Sequence, residues 1–281
     1  MGTHRFRWFG LLAALPGLLG LALFYILPFF ASLSHTFTQG VVQRRFVGLE
    51  NFRELAANPV FRQAVANTAV FLALGIPLVL ALSLALSVVI AKRPSGWQRW
   101  ALLLPLVVPP ASLALGWRSL WDAGGLAGRL LGMPEADLLH GPPAFLLVLL
   151  LYVLKNLGFL SVILTGAIQA LPREYWEGYC LESVSETGFI RRILLPLISP
   201  ALLFSGVAAV MNYFLFFRDI YALYGDDPPK QIYMLQQFMN SSFFGLNYQR
   251  LSAAAFLTVL LLSVLTAATV LLQRRAVRYV E

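Results

Sequence analysis

The amino-acid sequence predicts an all-α, polytopic membrane protein: six transmembrane helices with one long helical loop on the cytoplasmic side. Composition supplies the first reason. Of 281 residues, 59% are hydrophobic and only 12% charged, with a mean hydropathy of +0.74, against roughly 45–50% apolar and about 25% charged in soluble domains. Arrangement supplies the second, because the apolar residues form uncharged blocks of the length a helix needs to cross the hydrocarbon layer. A soluble enzyme and a disordered chain are both excluded.

Six blocks satisfy that length: Trp8 to Leu33, Thr68 to Ala91, Trp100 to Trp121, Ala144 to Ala170, Ile198 to Phe217 and Leu251 to Leu272. The first follows Arg5 and Arg7 as a signal peptide would, but its apolar run exceeds the about 7–15 residues of such a segment, so a retained anchor is expected. Prolines punctuate the spans at Pro16, Pro28, Pro77, the Pro105/Pro109/Pro110 group and Pro196/Pro200. They predict kinks, which neighbouring helices in a bundle tolerate. No repeat or low-complexity linker divides the chain, so one transmembrane domain is expected over residues 1–281, with the loop 171–197 inside it.

Basic residues orient the spans. The tails and loops 1–7, 92–99, 171–197 and 273–281 hold 11 Lys and Arg in 51 residues, whereas 34–67, 122–143 and 218–250 hold 8 in 89. The denser set belongs on the cytoplasmic side, with both termini there. The net charge of +8 is therefore a matter of span ends facing anionic membrane lipid, and no basic stripe with interleaved aromatics points to nucleic acid. The one cysteine, Cys180, excludes an internal disulfide and a cysteine-rich metal site.

Several chemistries are missing. A phosphate-cradling P-loop needs a Gly-Lys pair, yet none of Lys92, Lys155 and Lys230 follows a glycine, so this chain is not an ATPase. His4, His35 and His140 are scattered and form no zinc-protease helix, and no nucleophile elbow is present. The predicted span interiors contain no acidic residue, which disfavours a proton- or sodium-coupled carrier. Two cations do fall within spans. Arg118, near a span end, is expected to snorkel to the interface. Lys155 either faces protein or a water-filled cavity, or marks a later start of its span. With Asn156 beside it, and with Asn212 and Tyr213 in the fifth span, it is a candidate for lining a transport path; helix-packing hydrogen bonds are the competing use of the latter two.

The loop 171–197 reads as two short amphipathic helices. Pro172 suits the start of the first, which would carry Glu174 and Glu177 beside Tyr175 and Tyr179. Ser183 followed by Glu186 forms a capping-box pattern for the second, with Ile190, Ile193 and Leu194 as its apolar face. This loop resembles the EAA loop of inner-membrane permease subunits of binding-protein-dependent ABC importers, whose pattern is Glu-Ala-Ala, three residues, Gly, nine residues, Ile-x-Leu-Pro. In register stand Glu177, Gly178, Tyr179, Ser183, Ile193, Leu195 and Pro196; Glu177, Ile193, Leu195 and Pro196 match, while Gly178, Tyr179 and Ser183 depart. Serine at an N-cap preserves a turn as well as glycine does. Tyr179 adds a ring to the docking face and implies either a differently shaped groove on the partner ATPase or a rotated helix. Further fragments resemble sugar-type permeases: Phe46-Val-Gly-Leu-Glu-Asn-Phe-Arg-Glu-Leu, Asn67-Thr, Leu104-Pro-Leu-Val-Val-Pro-Pro and Trp117-Arg-Ser-Leu-Trp-Asp.

The resemblance implies a plasma-membrane subunit of a bacterium or archaeon that is not itself an enzyme and holds no cofactor. A second permease would complete the path, two ATPase subunits holding ATP and magnesium would dock below, and an extracytoplasmic solute-binding protein would deliver a sugar, polyol or sugar phosphate. Glu177 would be the docking carboxylate of the coupling helix, Ser183 and Gly188 would allow bends, and Pro196 would fix the return to the fifth span. The alternative class is a stand-alone secondary carrier, which would work without partners; a membrane scaffold explains the hydrophobicity but not the loop.

Overall fold

The computed structural model describes residues 3–40, 44–92, 95–172, 174–175 and 186–278. Helices dominate throughout, and the described strands are one short antiparallel pair. Five helical segments are long and apolar enough to cross a membrane, Leu12–Thr36, Pro59–Lys92, Ala144–Gln169, Ser199–Tyr224 and Tyr248–Leu271, and a bent pair, Gly96–Val107 with Pro110–Leu130, provides a sixth. The all-α polytopic expectation is met. By contacts the chain divides into two compact units, residues 1–62 with 239–260, and residues 63–238 with 261–281.

In the first unit, α1 (Thr3–Leu21) passes through a wide π-helical turn, Ala22–Ile26, into α2 (Leu27–Thr36). Strands β1 (Thr38–Gln39) and β2 (Arg45–Phe46) pair antiparallel, Thr38 opposite Phe46, and α3 (Glu50–Ala57) follows. The end of α2 is held by Asn51, whose Nδ2 donates to the Thr36 and Thr38 carbonyls at 2.9 and 3.1 Å. A helix end leaves its last carbonyls without intrahelical donors, and a buried amide satisfies them here. Phe37, Phe52 and Phe256 meet edge to face, with centroids 5.8–6.3 Å apart.

The second unit is organised around one buried helix. Helix α4 (Pro59–Lys92) begins at Asn58, whose Oδ1 accepts the N–H groups of Val60 and Phe61, with Pro59 in the first turn. Helices α5 (Gly96–Val107), α6 (Pro110–Trp121) and α7 (Leu126–Leu130) precede α8 (Ala144–Gln169). The most apolar stretch of α8 is 61% buried, against at most 22% for any other long span. Helix α5 packs on it so closely that a Cβ on Gly158 would collide with the Leu102 carbonyl, the small-residue contact by which membrane helices approach. Phe71, Tyr152, Tyr213 and Phe216 form an aromatic core, with Phe71 5.5 Å from Tyr152 and 5.3 Å from Tyr213.

The third expected span, Trp100 to Trp121, is broken. Gly96–Val107 and Pro110–Leu130 turn through 92°. Val108 and Pro109 are extended, at ψ 126° and 143°, because the ring of a proline drives the residue before it out of helical space, and two consecutive prolines do so twice. Past the loop, α9 (Glu186–Phe189) runs through a π-helical turn, Ile190–Leu194, into α10 (Leu195–Leu197) and then α11 (Ser199–Tyr224). Here Phe189, Leu194 and Ile198 bury against Val88 and Ile168. Helix α11 continues seven residues beyond the expected end at Phe217 and stops at Gly225, whose φ of +65° suits a residue without Cβ. Helices α12 (Leu235–Phe244) and α13 (Tyr248–Arg278) complete the order, α13 starting at an Asn247 side chain that accepts the Arg250 N–H.

Candidate functional site

Four elements of the second unit line a half-open cavity of about 240 Å³ with both polar and apolar walls. The end of α5, the extended Val108–Pro109 step and the start of α6 form one wall. Lys155 and Asn156 of α8 face it with Asn212, Arg218 and Asp219 of α11. Asn212 and Asp219 are seven residues apart, two turns along one helix face, which is why one helix delivers both. Lys155 Nζ donates to Asp219 Oδ1 at 2.7 Å, and their side chains are only 12% and 5% exposed. One level away, Asn212 Nδ2 donates to Asn156 Oδ1 at 2.8 Å, and Asn156 Nδ2 donates to the Tyr152 carbonyl at 2.8 Å. Charged and amide groups within membrane-spanning segments are expensive unless paired, and here Lys155 with Asp219 and Asn156 with Asn212 find partners across α8 and α11.

The structure brings Lys155, Asn156 and Asn212 together and turns Tyr213 away. Tyr213 is 1% exposed; its hydroxyl lies 3.2 Å from Thr68 Oγ1 and 3.4 Å from Gln236 Oε1 in the aromatic core. It does not line this cavity. Gly188 lies in α9 and is half-buried, Ile193 falls in the π-helical turn, and Leu195 and Pro196 open α10 with Pro196 exposed. Glu177, Gly178, Tyr179 and Ser183 lie outside the described residues.

One expectation needs correction. Asp219 is an acidic residue inside a spanning helix, where none was expected; the Arg218-Asp219 pair reads as a span end, but ion pairing with Lys155 lets the helix continue. A lysine in mid-span was itself the signal that a counter-charge exists. Arg118 is exposed near the end of its helix, and its Nη2 donates to the Leu223 carbonyl, satisfying a terminal acceptor of α11 where the helix dipole favours a cation. The Asn67-Thr68 pair also acquires a role. Asn67 Nδ2 donates to the Lys230 and Tyr233 carbonyls at 2.7 and 2.9 Å, and Thr68 Oγ1 accepts the Leu235 N–H at 3.0 Å, tying the loop after α11 to α4.

Asp122, Asp137 and His140 place ligand atoms within 4.8 Å of one another. Asp137 is engaged in its own turn, accepting the Leu139 and His140 N–H groups and contacting His140 Nδ1 at 2.7 Å, so the group reads as loop structure.

Residues 55–280 match the family described as the inner membrane component of binding-protein-dependent transport systems. The chain belongs to that family. It is therefore an ABC importer permease subunit and not an enzyme, which decides against the stand-alone carrier. The permease is 27% identical to the sn-glycerol-3-phosphate transport system permease protein UgpA of Pectobacterium atrosepticum, over 99% of this chain and 98% of that one. It is 28% identical to the trehalose/maltose transport system permease protein MalF of Thermococcus litoralis, over 80% of each. In fold it superposes on a chain of a bacterial ABC transporter involved in the import of the acidic polysaccharide alginate, with a TM-score of 0.82 at 19% identity and 96% coverage of both chains.

Proposed function

We propose that this permease forms half of the translocation path for a sugar, a polyol or a sugar phosphate, and that the cavity between α8 and α11 is a station on that path. The single observation that supports this most strongly is the polar lining: Lys155, Asn156, Asn212 and Asp219 gather on one cavity within spans that are otherwise apolar. Such groups hydrogen-bond hydroxyls in passing, which an apolar seam could not do. The relatives named for glycerol phosphate and for trehalose and maltose support the same solute class.

The remaining parts of the assembly follow from the family. A related permease pairs with this chain, two ATPase subunits bind ATP and magnesium on the cytoplasmic side, and an extracytoplasmic binding protein supplies solute. Both termini lie in the cytoplasm, in keeping with the basic residues of the loops on that side. The segment 171–197 is the dock, with Glu177, Gly178, Tyr179 and Ser183 in its first half and Gly188, Ile193, Leu195 and Pro196 in its second. ATP-driven closure of the ATPases moves this rigid element, and the spans follow as a body.

The test is purification of the tagged permease from its native membrane in mild detergent, with mass spectrometry of the proteins that come with it, for wild type and Glu177→Ala. The expected result is an ATPase and a second permease with wild type, the ATPase reduced severalfold in the variant. Purification of the wild-type chain alone would overturn the assembly, and equal ATPase recovery in both would remove Glu177 from the dock.

A further inference from the structure

The cavity between α8 and α11 holds more positive than negative charge. Lys155 and Asp219 neutralise one another at 2.7 Å. Arg218, next to Asp219 in the chain, lines the same cavity, and no acidic side chain pairs with it among the described residues. Its guanidinium offers a planar fork of N–H donors that matches a carboxylate or a phosphate. The Lys155 ammonium has three donors, of which Asp219 takes one. Asn212 gives one amide hydrogen to Asn156, and its carbonyl oxygen has no hydrogen-bond partner among the described residues. The cavity therefore offers cationic donors in excess together with a neutral acceptor suited to a hydroxyl. Its volume of about 240 Å³ is at the small end of ligand pockets, which run to about 300–1,000 Å³, and suits one sugar ring or less.

We infer that this cavity takes a small polyol carrying one anionic group, a carboxylate or a phosphate, with Arg218 selecting the anion. The inference rests on the cavity being a station on the path, and adds the charge of what passes. Lys155 contacts the anion from the α8 side and Asn212 meets a hydroxyl. An uncharged sugar of the same size takes ordinary hydrogen bonds from the guanidinium but leaves its charge unbalanced.

The test uses the complete importer, permeases with ATPases, in nanodiscs of phosphatidylcholine, titrated by saturation-transfer NMR with matched probes: glycerol 3-phosphate against glycerol, and galacturonate against galactose. The expected result is that the charged member of each pair binds about ten- to a hundredfold more tightly, the range for hydrogen bonds to a charged group. Arg218→Gln should bring the charged member down to the affinity of the neutral one, and Arg218→Lys should keep part of the preference. Equal binding of charged and neutral probes by wild type overturns the charge selection and leaves the path station standing. Binding of neither overturns both. Anionic lipid is the other source of such a group, so the discs are also made with phosphatidylglycerol: Arg218-dependent retention of that lipid by native mass spectrometry, without binding of the soluble anions, assigns the arginine to the membrane and overturns the proposal.

Discussion

Replacing Asp219 by Asn removes one charge of the pair that joins α8 to α11 and leaves Lys155 as a cation whose side chain is 12% exposed. Breaking a buried pair from one side costs about 3–5 kcal/mol, because the surviving charge loses its partner where little water replaces it. In a chain of this size each kcal/mol moves the melting temperature by about 2–4 °C, so a fall of about 10 °C is expected. The assay is thermal melting of the detergent-purified complex, at one scan rate because membrane proteins unfold irreversibly. Replacing both residues, Lys155→Met with Asp219→Leu, removes the stranded charge and should recover most of the loss, since apolar substitutes for a buried pair are often neutral or better. A single variant that melts within about 2 °C of wild type, or a double variant that melts below both singles, would refute the reasoning that the pair is internal and mutually dependent.

Gly158→Ala should destabilise by about 1–3 kcal/mol, because the added Cβ meets the Leu102 carbonyl of α5 and backbone has little room to yield; Gly166→Ala, whose added Cβ meets nothing within 4 Å, should be close to neutral in the same melt. Tyr213→Phe keeps the ring in its aromatic core and removes the hydroxyl's contacts with Thr68, Met234 and Gln236, at a cost of about 1 kcal/mol; solute uptake by the reconstituted importer should keep its KM, and a changed solute preference would place Tyr213 on the path after all.

Much of the architecture is legible in the sequence because the bilayer imposes a length: each uncharged block of about 20 residues could be little else than a spanning helix. The bend after Val107 is half legible. Pro109 and Pro110 announce a break, but its 92° angle is set by how α5 is pressed onto Gly158 and how α6 meets α11, neither of which is a local property. Asp219 is illegible locally, since an adjacent Arg-Asp pair is the ordinary signature of a helix reaching water. Only its partner, 64 residues away in the chain, makes it an interior residue. Asn212 and Tyr213 show the limit of adjacency: consecutive residues on a helix point about 100° apart, so one reaches the cavity and the other the core.

The π-helical turn at Ile190–Leu194 works as a phase adjuster. One residue more than an α-turn requires is accommodated there, just before α10 and α11 begin, while Phe189, Leu194 and Ile198 pin both sides of it to Val88 and Ile168. Loss of a single residue within the turn would return it to α geometry and swing α9 by about 100° about the helix axis, without altering any side chain that α9 presents. The facing of the segment before the fifth span is thus fixed by a residue count, and an insertion or deletion there re-aims a surface that point substitutions would leave where it is.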